Sequence, residues 1–272
     1  MSKVLSLQEL ASLVEDGSQI GLGGSFLHRA PNAFVRELVR RGARDLELVK
    51  ASPGYDLDLL CRAGVVRRVR VGIAAMDAEL GLLPAYRRAV EQHQVELEEH
   101  SCITIVSGLR ASAYGVPFLP VAGLDGSDIP ALNGWQQVDD PYGSGRSVFV
   151  VPALRPDVAI LHVNEVDEDG NARLYGSPQW DRAMSRGAAS VLVTAEKLVP
   201  RSRIEEQPEL TVVPGFLVRA VAVVPQGAWP ASMYPDYGID EAAVERYLEP
   251  GDDALARHLE EAPEEKARAV AR

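Results

Sequence analysis

A chain of 272 residues, 46% hydrophobic and 25% charged, suits one large α/β domain or two small ones and can bury a sizeable core. Its net charge of −11, with no run of lysine and arginine interleaved with aromatics, argues against nucleic acid and anionic membranes as partners, so any anionic ligand must meet local positive charge or backbone donors. The two cysteines, Cys61 and Cys102, exclude a disulfide framework or a CxxC metal site, and the N-terminal MSKVLSLQELASLVEDG lacks the apolar run of a signal peptide or membrane span. The expectation is a soluble, cytoplasmic protein.

Leu7, Leu10, Ala11 and Val14 recur at helical spacing, and the strand candidate QIGLG follows. PNAFVRELVRRG then reads as a helix closed by Gly42. LELVK is a strand ended by SPGYD, and a short helix runs through Leu59 and Leu60. A strand in VVRRVRVGIAA, a helix around LLPAYRRAVEQ and a strand at QVELE complete four strand–helix alternations. That alternation predicts an open, mostly parallel sheet with helices on both faces, right-handed crossovers, and a ligand at the carboxyl ends of the strands. Ile103 to Gly115 reads as a helix. The stretch 121–146, rich in Gly, Asp and Pro, reads as a long irregular excursion with a binding or interface role. SVFVVPAL, PDVAILHV, SVLVTAEKLV and RAVAVVPQGAW are buried strands, with a hairpin-like turn around Asp169, Gly170 and Asn171. A single domain is expected over 1–250, followed by a charged helical tail over 251–272 whose end, EEAPEEKARAVAR, is a frayed, solvated helix.

The loop after the first strand, DGSQIGLGGSFLHRAP, carries Gly23, Gly24, Ser25 and Arg29 ahead of a helix starting near Pro31. Glycines there let backbone N–H groups approach an oxyanion, although the same glycines also serve in plain tight turns and GxGG lacks the GxGxxG spacing. Glu98 and Glu99 close a strand, as acid or base or simply as its solvated end. Cys102 opens a helix, which favours thiolate, but no His–Asp pair accompanies it, and a small buried hydrophobe is the commoner role. Ser25 and Ser101 lack a GxSxG context, and the five scattered histidines have no paired metal spacing. Ligand loops without a complete catalytic set suggest half of a shared active site.

These motifs resemble family I coenzyme A transferases, specifically the A-type chain of the glutaconate CoA-transferase type. The resemblance runs from Asp16-Gly17 through Gly23-Gly24 to Arg29-Ala30-Pro31. It continues through EEHS and its helix into GVPFLP (98–120), VVPALRPDVAILHVNEVDEDGNARLYG (150–176), VPGFLVRAVAVVPQGAWP (213–230) and PDYGID (235–240). It implies the fold shared with sugar-phosphate isomerases, a coenzyme A thioester as substrate with no permanently bound cofactor, and transfer of CoA between short carboxylic acids, branched or dicarboxylic ones included. In the family the nucleophilic glutamate stands in an S-E-N-G motif of the B-type subunit, and this chain has no such motif. The resemblance therefore implies a homologous B subunit, two A with two B chains, and no catalytic residue here.

By the same resemblance Gly23, Gly24, Ser25 and Phe26 line the acyl crevice, with the Gly23 and Gly24 N–H groups as donors and Arg29 holding a substrate carboxylate. Ser52, Gly54 and Tyr55, with Glu99 and Ser101, form the opposite wall. Ser25 replaces the usual aromatic after the glycine pair, and Pro53 and Tyr55 narrow a loop that is more glycine-rich in glutaconate transferases. The alternative is the same-fold decarboxylase of glutaconyl- or 3-methylglutaconyl-type thioesters. A ring-opening acyl-CoA hydrolase, expected to carry an acidic residue near Ser101-Cys102, and a noncatalytic binding subunit rank behind it.

Overall fold

The computed structural model describes residues 2–77, 80–249 and 254–266. Ser6 and Glu9 cap helix α1 (Leu7–Ser12) reciprocally. The chain then alternates through β1 (Gln19–Leu22), α2 (Asn32–Arg40), β2 (Leu46–Lys50), α3 (Tyr55–Arg62), β3 (Val66–Val71), α4 (Pro84–Glu91), β4 (Glu96–Glu99) and α5 (Cys102–Tyr114). β1 to β4 pair parallel in that order, with a register shift between Leu46 and Glu47 of β2 against β3, and β1 also pairs with β8 (Val158–Val166), which is buried along its whole length. A strand buried on both faces reads as a continuous apolar run, as PDVAILHV does.

Before β8, the excursion folds β5 (Phe118–Val121), α6 (Ile129–Leu132), β6 (Gln137–Asp139) and β7 (Ser147–Pro152) into a small antiparallel sheet ordered β5-β7-β6. It has its own apolar cluster of Val121, Leu124 and Val151 against Trp135 and Phe149. The Asp169-Gly170 turn returns β8 antiparallel into β9 (Ala172–Arg173), with the Asp167 carboxylate accepting the Asp169 and Asn171 N–H groups. Helix α7 (Asp181–Gly187) leads to β10 (Ser190–Leu198), α8 (Arg201–Glu205), β11 (Thr211–Val213) beside β9, and β12 (Val218–Val223) beside β10. The parallel strands therefore run β12-β10-β8-β1-β2-β3-β4. Helices α2, α3 and α4 pack as one layer, while α5 and α7 pack together on the other face, where Met184 of α7 fills the space left by Gly21.

Helices α9 (Glu241–Leu248) and α10 (Ala254–Glu261) follow. The expected solvated tail is instead bound to the body as far as it is described. Buried His258 stacks on Trp229 with ring centroids 5.1 Å apart, and Glu264 meets the fully buried Arg36 guanidinium with two bonds of 2.6 and 2.8 Å. The apolar face and one bidentate ion pair outweigh the charge that made this segment read as solvated. The boundary at 250 and the residues after 266 lie outside the described residues. Among the described residues, no helix is long and apolar enough to cross a membrane.

Candidate active site

The loops leaving β1, β2, β3 and β4 meet at the carboxyl edge of the sheet, where open α/β folds place ligands. Gly24 sits at φ 72°, and a Cβ there would fall 2.5 Å from the Ala30 nitrogen and the His28 oxygen. Only glycine fits so close a turn. Phe26 and Arg29 also adopt positive φ, 47° and 58°. Ser25 and His28 exchange two backbone bonds of 2.8 Å, and the Phe26 N–H donates to the Ser52 carbonyl at 2.8 Å, joining this turn to the loop after β2.

The donor role expected of Gly23 and Gly24 is corrected by these contacts. The Gly23 N–H donates to the Ile160 carbonyl at 2.9 Å, and the Gly24 N–H points at the Asp181 carboxylate, 3.4 Å away. Both groups satisfy the fold, as buried backbone donors must. Arg29 is corrected likewise. It is only 4% exposed, and its Nη1 donates to Asp181 Oδ2 at 2.8 Å, while Nη2 is buried without a partner. A guanidinium neutralised inside the fold is no hook for a substrate carboxylate.

Tyr55 is the third correction. It is fully buried behind the loop, its hydroxyl 2.6 Å from His258 Nε2 and its ring 4.9 Å from that of Tyr247. Burial pushes its phenol up to about 12 despite the nearby Arg36. The residue braces the crevice wall from inside and does not narrow its mouth.

Sequence reasoning missed the charges beneath this wall. Lys50 is completely buried, and its Nζ donates to the Gly23 carbonyl at 2.9 Å and to Asp56 Oδ2 at 2.5 Å. Asp56 Oδ1 in turn accepts the Gly54 N–H at 2.9 Å. One ion pair thus fixes the turn after β1 to the turn after β2. Gly54 is pressed so closely on Phe26 that a Cβ would lie 2.8 Å from the Phe26 carbonyl carbon. A lysine ending an apolar strand in LELVK, six residues before an aspartate, was the available signal. Asp181 had none, since only the fold brings α7 beneath the glycine turn.

The open side of the crevice is formed by half-buried Phe26, Ser101 and Cys102 over buried Ser52. Ser52 Oγ lies 3.4 Å from Cys102 Sγ, which points at the Ala51 carbonyl, 3.3 Å away. Gly72 lets these loops close, because a Cβ there would fall 2.7 Å from the Cys102 nitrogen. Ser101 caps α5 in a reciprocal box with Thr104, so the first turn of that helix, with the positive end of its dipole, faces the crevice rim. Exposed His28, with Asp77 3.7 Å away, and exposed Ile73 flank it.

Glu99 lies exposed on the edge strand, its carbonyl accepting Asn133 Nδ2 at 2.8 Å. Glu98 is bound to Arg70 and His100 at 2.8 and 3.1 Å. The His100 hydrogen bond, against burial and aided by Arg70, holds its carboxyl below the usual range. An ionised, doubly bound carboxylate is a poor general acid. No three His, Cys, Asp or Glu side chains come together as a metal-ion cluster among the described residues.

An open parallel sheet with a glycine turn and a helix start at its carboxyl edge defines an α/β protein that takes its ligand between strand-end loops. The chain belongs to the coenzyme A transferase family, whose model matches residues 4–223. It is 31% identical to the A-type chain of glutaconate CoA-transferase from Acidaminococcus fermentans over 91% of this chain and 82% of that one. The crystal structure of that enzyme matches with a TM-score of 0.86 at 29% identity, covering 90% of this chain and 83% of the other. A variant of the decarboxylase AibA/AibB matches with a TM-score of 0.85 at 32% identity over 100% of both chains. An uncharacterized protein of Archaeoglobus fulgidus is 35% identical over 96% of this chain, which spans 58% of that relative's length.

Proposed function

We propose that this chain is the A-type half of a heteromeric CoA-transferase, two A with two B chains, moving CoA between short carboxylic acids. The likeness to the corresponding chain of a glutaconate CoA-transferase in sequence and fold carries the reading. The site's composition supports it. The carboxylates beneath the crevice, Asp56 and Asp181, are bound to Lys50 and Arg29, and Glu98 is held by Arg70 and His100, so none of these three stands free to attack a thioester. The attacking glutamate comes from the partner chain. This chain supplies a stiff wall, and the thioester carbonyl lies at the rim formed by Ser52, Ser101 and Cys102, near the first turn of α5. Partial positive charge there favours the oxyanion that forms when the carbonyl is attacked.

Co-expression with a homologous B chain tests the reading. With an acyl-CoA and acetate, the complex is expected to show ping-pong kinetics and a trappable glutamyl thioester on the partner, while this chain alone is inactive. Full exchange catalysed by the single chain would sink it. A decarboxylase reading is favoured by one observation, the end-to-end match to AibA/AibB. It is tested by giving the complex glutaconyl-CoA without any free acid. Carbon dioxide release in step with a shortened unsaturated thioester would install that reading, whereas an intact thioester retains the transferase.

A further inference from the structure

The small antiparallel sheet of the excursion packs along α5 and grips that helix near both ends. Toward the C-terminal end, the Ala153 N–H donates to the Pro117 carbonyl and the Leu154 N–H to the Gly108 carbonyl, both at 2.9 Å. Gly108 permits this approach, since a Cβ there would fall 2.7 Å from Leu154 Cγ. At the N-terminal end the contact is made by α6 and the turn that follows it. Asn133 Nδ2 donates to the Ile129 carbonyl at 3.0 Å, closing α6, and to the Glu99 carbonyl at 2.8 Å. Two residues on, Trp135 packs against the excursion's own apolar cluster, and its ring meets that of His100 with centroids 5.2 Å apart at 58°. A helix of 13 residues spans about 20 Å, so the excursion braces α5 over its whole length.

Glu99 and His100 are the two residues that precede Ser101 and Cys102 at the crevice rim. Buried His100 carries the contact inward, with one ring nitrogen 3.1 Å from Thr104 Oγ1 and the other 3.1 Å from Glu98 Oε1. The Thr104 hydroxyl donates to the Ser101 carbonyl at 2.8 Å and accepts the Ser101 N–H at 3.0 Å. A shift of Trp135 therefore passes through His100 and Thr104 to the cap of α5. The sheet pins the same corner from below, where the His100 N–H donates to the Val71 carbonyl at 3.0 Å. We propose that the excursion is a positioning element for the reaction, with Asn133 and Trp135 as the positioning residues that hold the start of α5 in register with the crevice. A misplacement of about 1 Å at a reacting centre can cost about a hundredfold in rate, which gives such a grip a catalytic consequence. That consequence rests on the transferase reading, whereas the grip on the helix does not.

The test therefore has two readouts. In the full chain alone, N-ethylmaleimide probes the rim, and peptide mass spectrometry reads Cys102 apart from buried Cys61. Asn133→Ala/Trp135→Ala is expected to speed alkylation of Cys102 about fivefold, the weight of about one lost hydrogen bond on local opening. In the complex with a B chain, the same variant is expected to lower kcat about tenfold while KM stays within about twofold, and Trp135→Phe is expected to keep both near the parent. Tyr142→Ala, on the same excursion but 95% exposed, is expected to leave alkylation unchanged. If the double variant does not fold, Asn133→Ala takes its place under the same criteria. Unchanged alkylation, or an unchanged kcat in an active complex, overturns the proposal. So does a raised KM at parental kcat, or loss of the B chain with the rim as reactive as in the parent, since either makes the excursion a binding or subunit contact. Faster alkylation beside a parent complex that turns over no thioester sinks the transferase reading and leaves the grip on α5 standing.

Discussion

The turn after β1 and the start of α5 border the same crevice, yet they are built in opposite ways. Around Gly23, Gly24 and Arg29 polar groups are turned inward onto Ile160, Asp181 and Lys50, and Arg29 Nη2 is buried without a partner. At Ser101 and Cys102 the helix begins at a half-exposed rim. The glycines that look most like a ligand cradle in the sequence build a wall, and the less conspicuous EEHSC segment ends in a half-exposed helix start whose Ser101 hydroxyl caps Thr104. Glycine at positive φ reports a backbone in a tight place, and what presses on it can be the protein itself.

Breaking the wall is expected to give the largest effect. Lys50→Met leaves buried Asp56 with two N–H groups and no cation, and removing one partner of such a pair costs about 3–5 kcal/mol. Urea unfolding measures this, and the paired change Lys50→Met/Asp56→Leu is expected to recover a large part of the loss. If Lys50→Met unfolds at the parent's urea midpoint, the ion pair does not hold the wall. Arg29→Met is expected near the low end of the same range, because Asp181 keeps the Gly24 N–H. A normal stability with a raised KM in the complex would return Arg29 to the substrate and overturn the comparison.

The sheet was legible because alternation of apolar strands with amphipathic helices is a local pattern. QIGLG, LELVK and PDVAILHV each announce a strand within a few residues. The crevice was half legible. Ser52, Gly54, Phe26 and Ser101 come together because strand-end loops of a parallel sheet must, and that follows from topology. The orientation of Tyr55 and Arg29 did not follow, since it depends on His258 and Asp181, which lie 203 and 152 residues away in the chain. The tail misled for the same reason. Its charges read as solvated because Arg36, the partner of Glu264, belongs to an early helix.

That brace behind Tyr55 makes the wall acid-sensitive in a way the rim is not. Burial, with Arg36 and Arg62 nearby, holds His258 down at about 3 from an ordinary 6.5. Burial pushes Glu264 up, but Arg36 outweighs it and holds the carboxyl at about 2, below an ordinary 4.5. Both groups bind fewer protons in the folded chain than in the unfolded one, so stability falls with pH, first below about 6.5 through His258 and then below about 4.5 through Glu264. Glu264→Gln is expected to cost about 3 kcal/mol at pH 7 and to flatten the acid limb below pH 4.5. Urea midpoints across pH check both. An unchanged acid limb in Glu264→Gln would show that the C-terminal helices do not brace the wall.

The smallest effect belongs to the rim, where stability and activity are expected to separate. Ser101→Ala removes the hydroxyl that caps Thr104 and is expected to cost about 1 kcal/mol. Aspartate caps a helix as well as serine does, so Ser101→Asp is expected to restore the parental urea midpoint. It also sets a negative charge where the thioester oxygen must become an oxyanion, cancelling the positive end of α5. The stable Ser101→Asp complex is therefore expected to lose more activity than the less stable Ser101→Ala complex. Activities that instead follow stability, with aspartate the better of the two, would place the reacting carbonyl away from α5 and make this rim part of the wall.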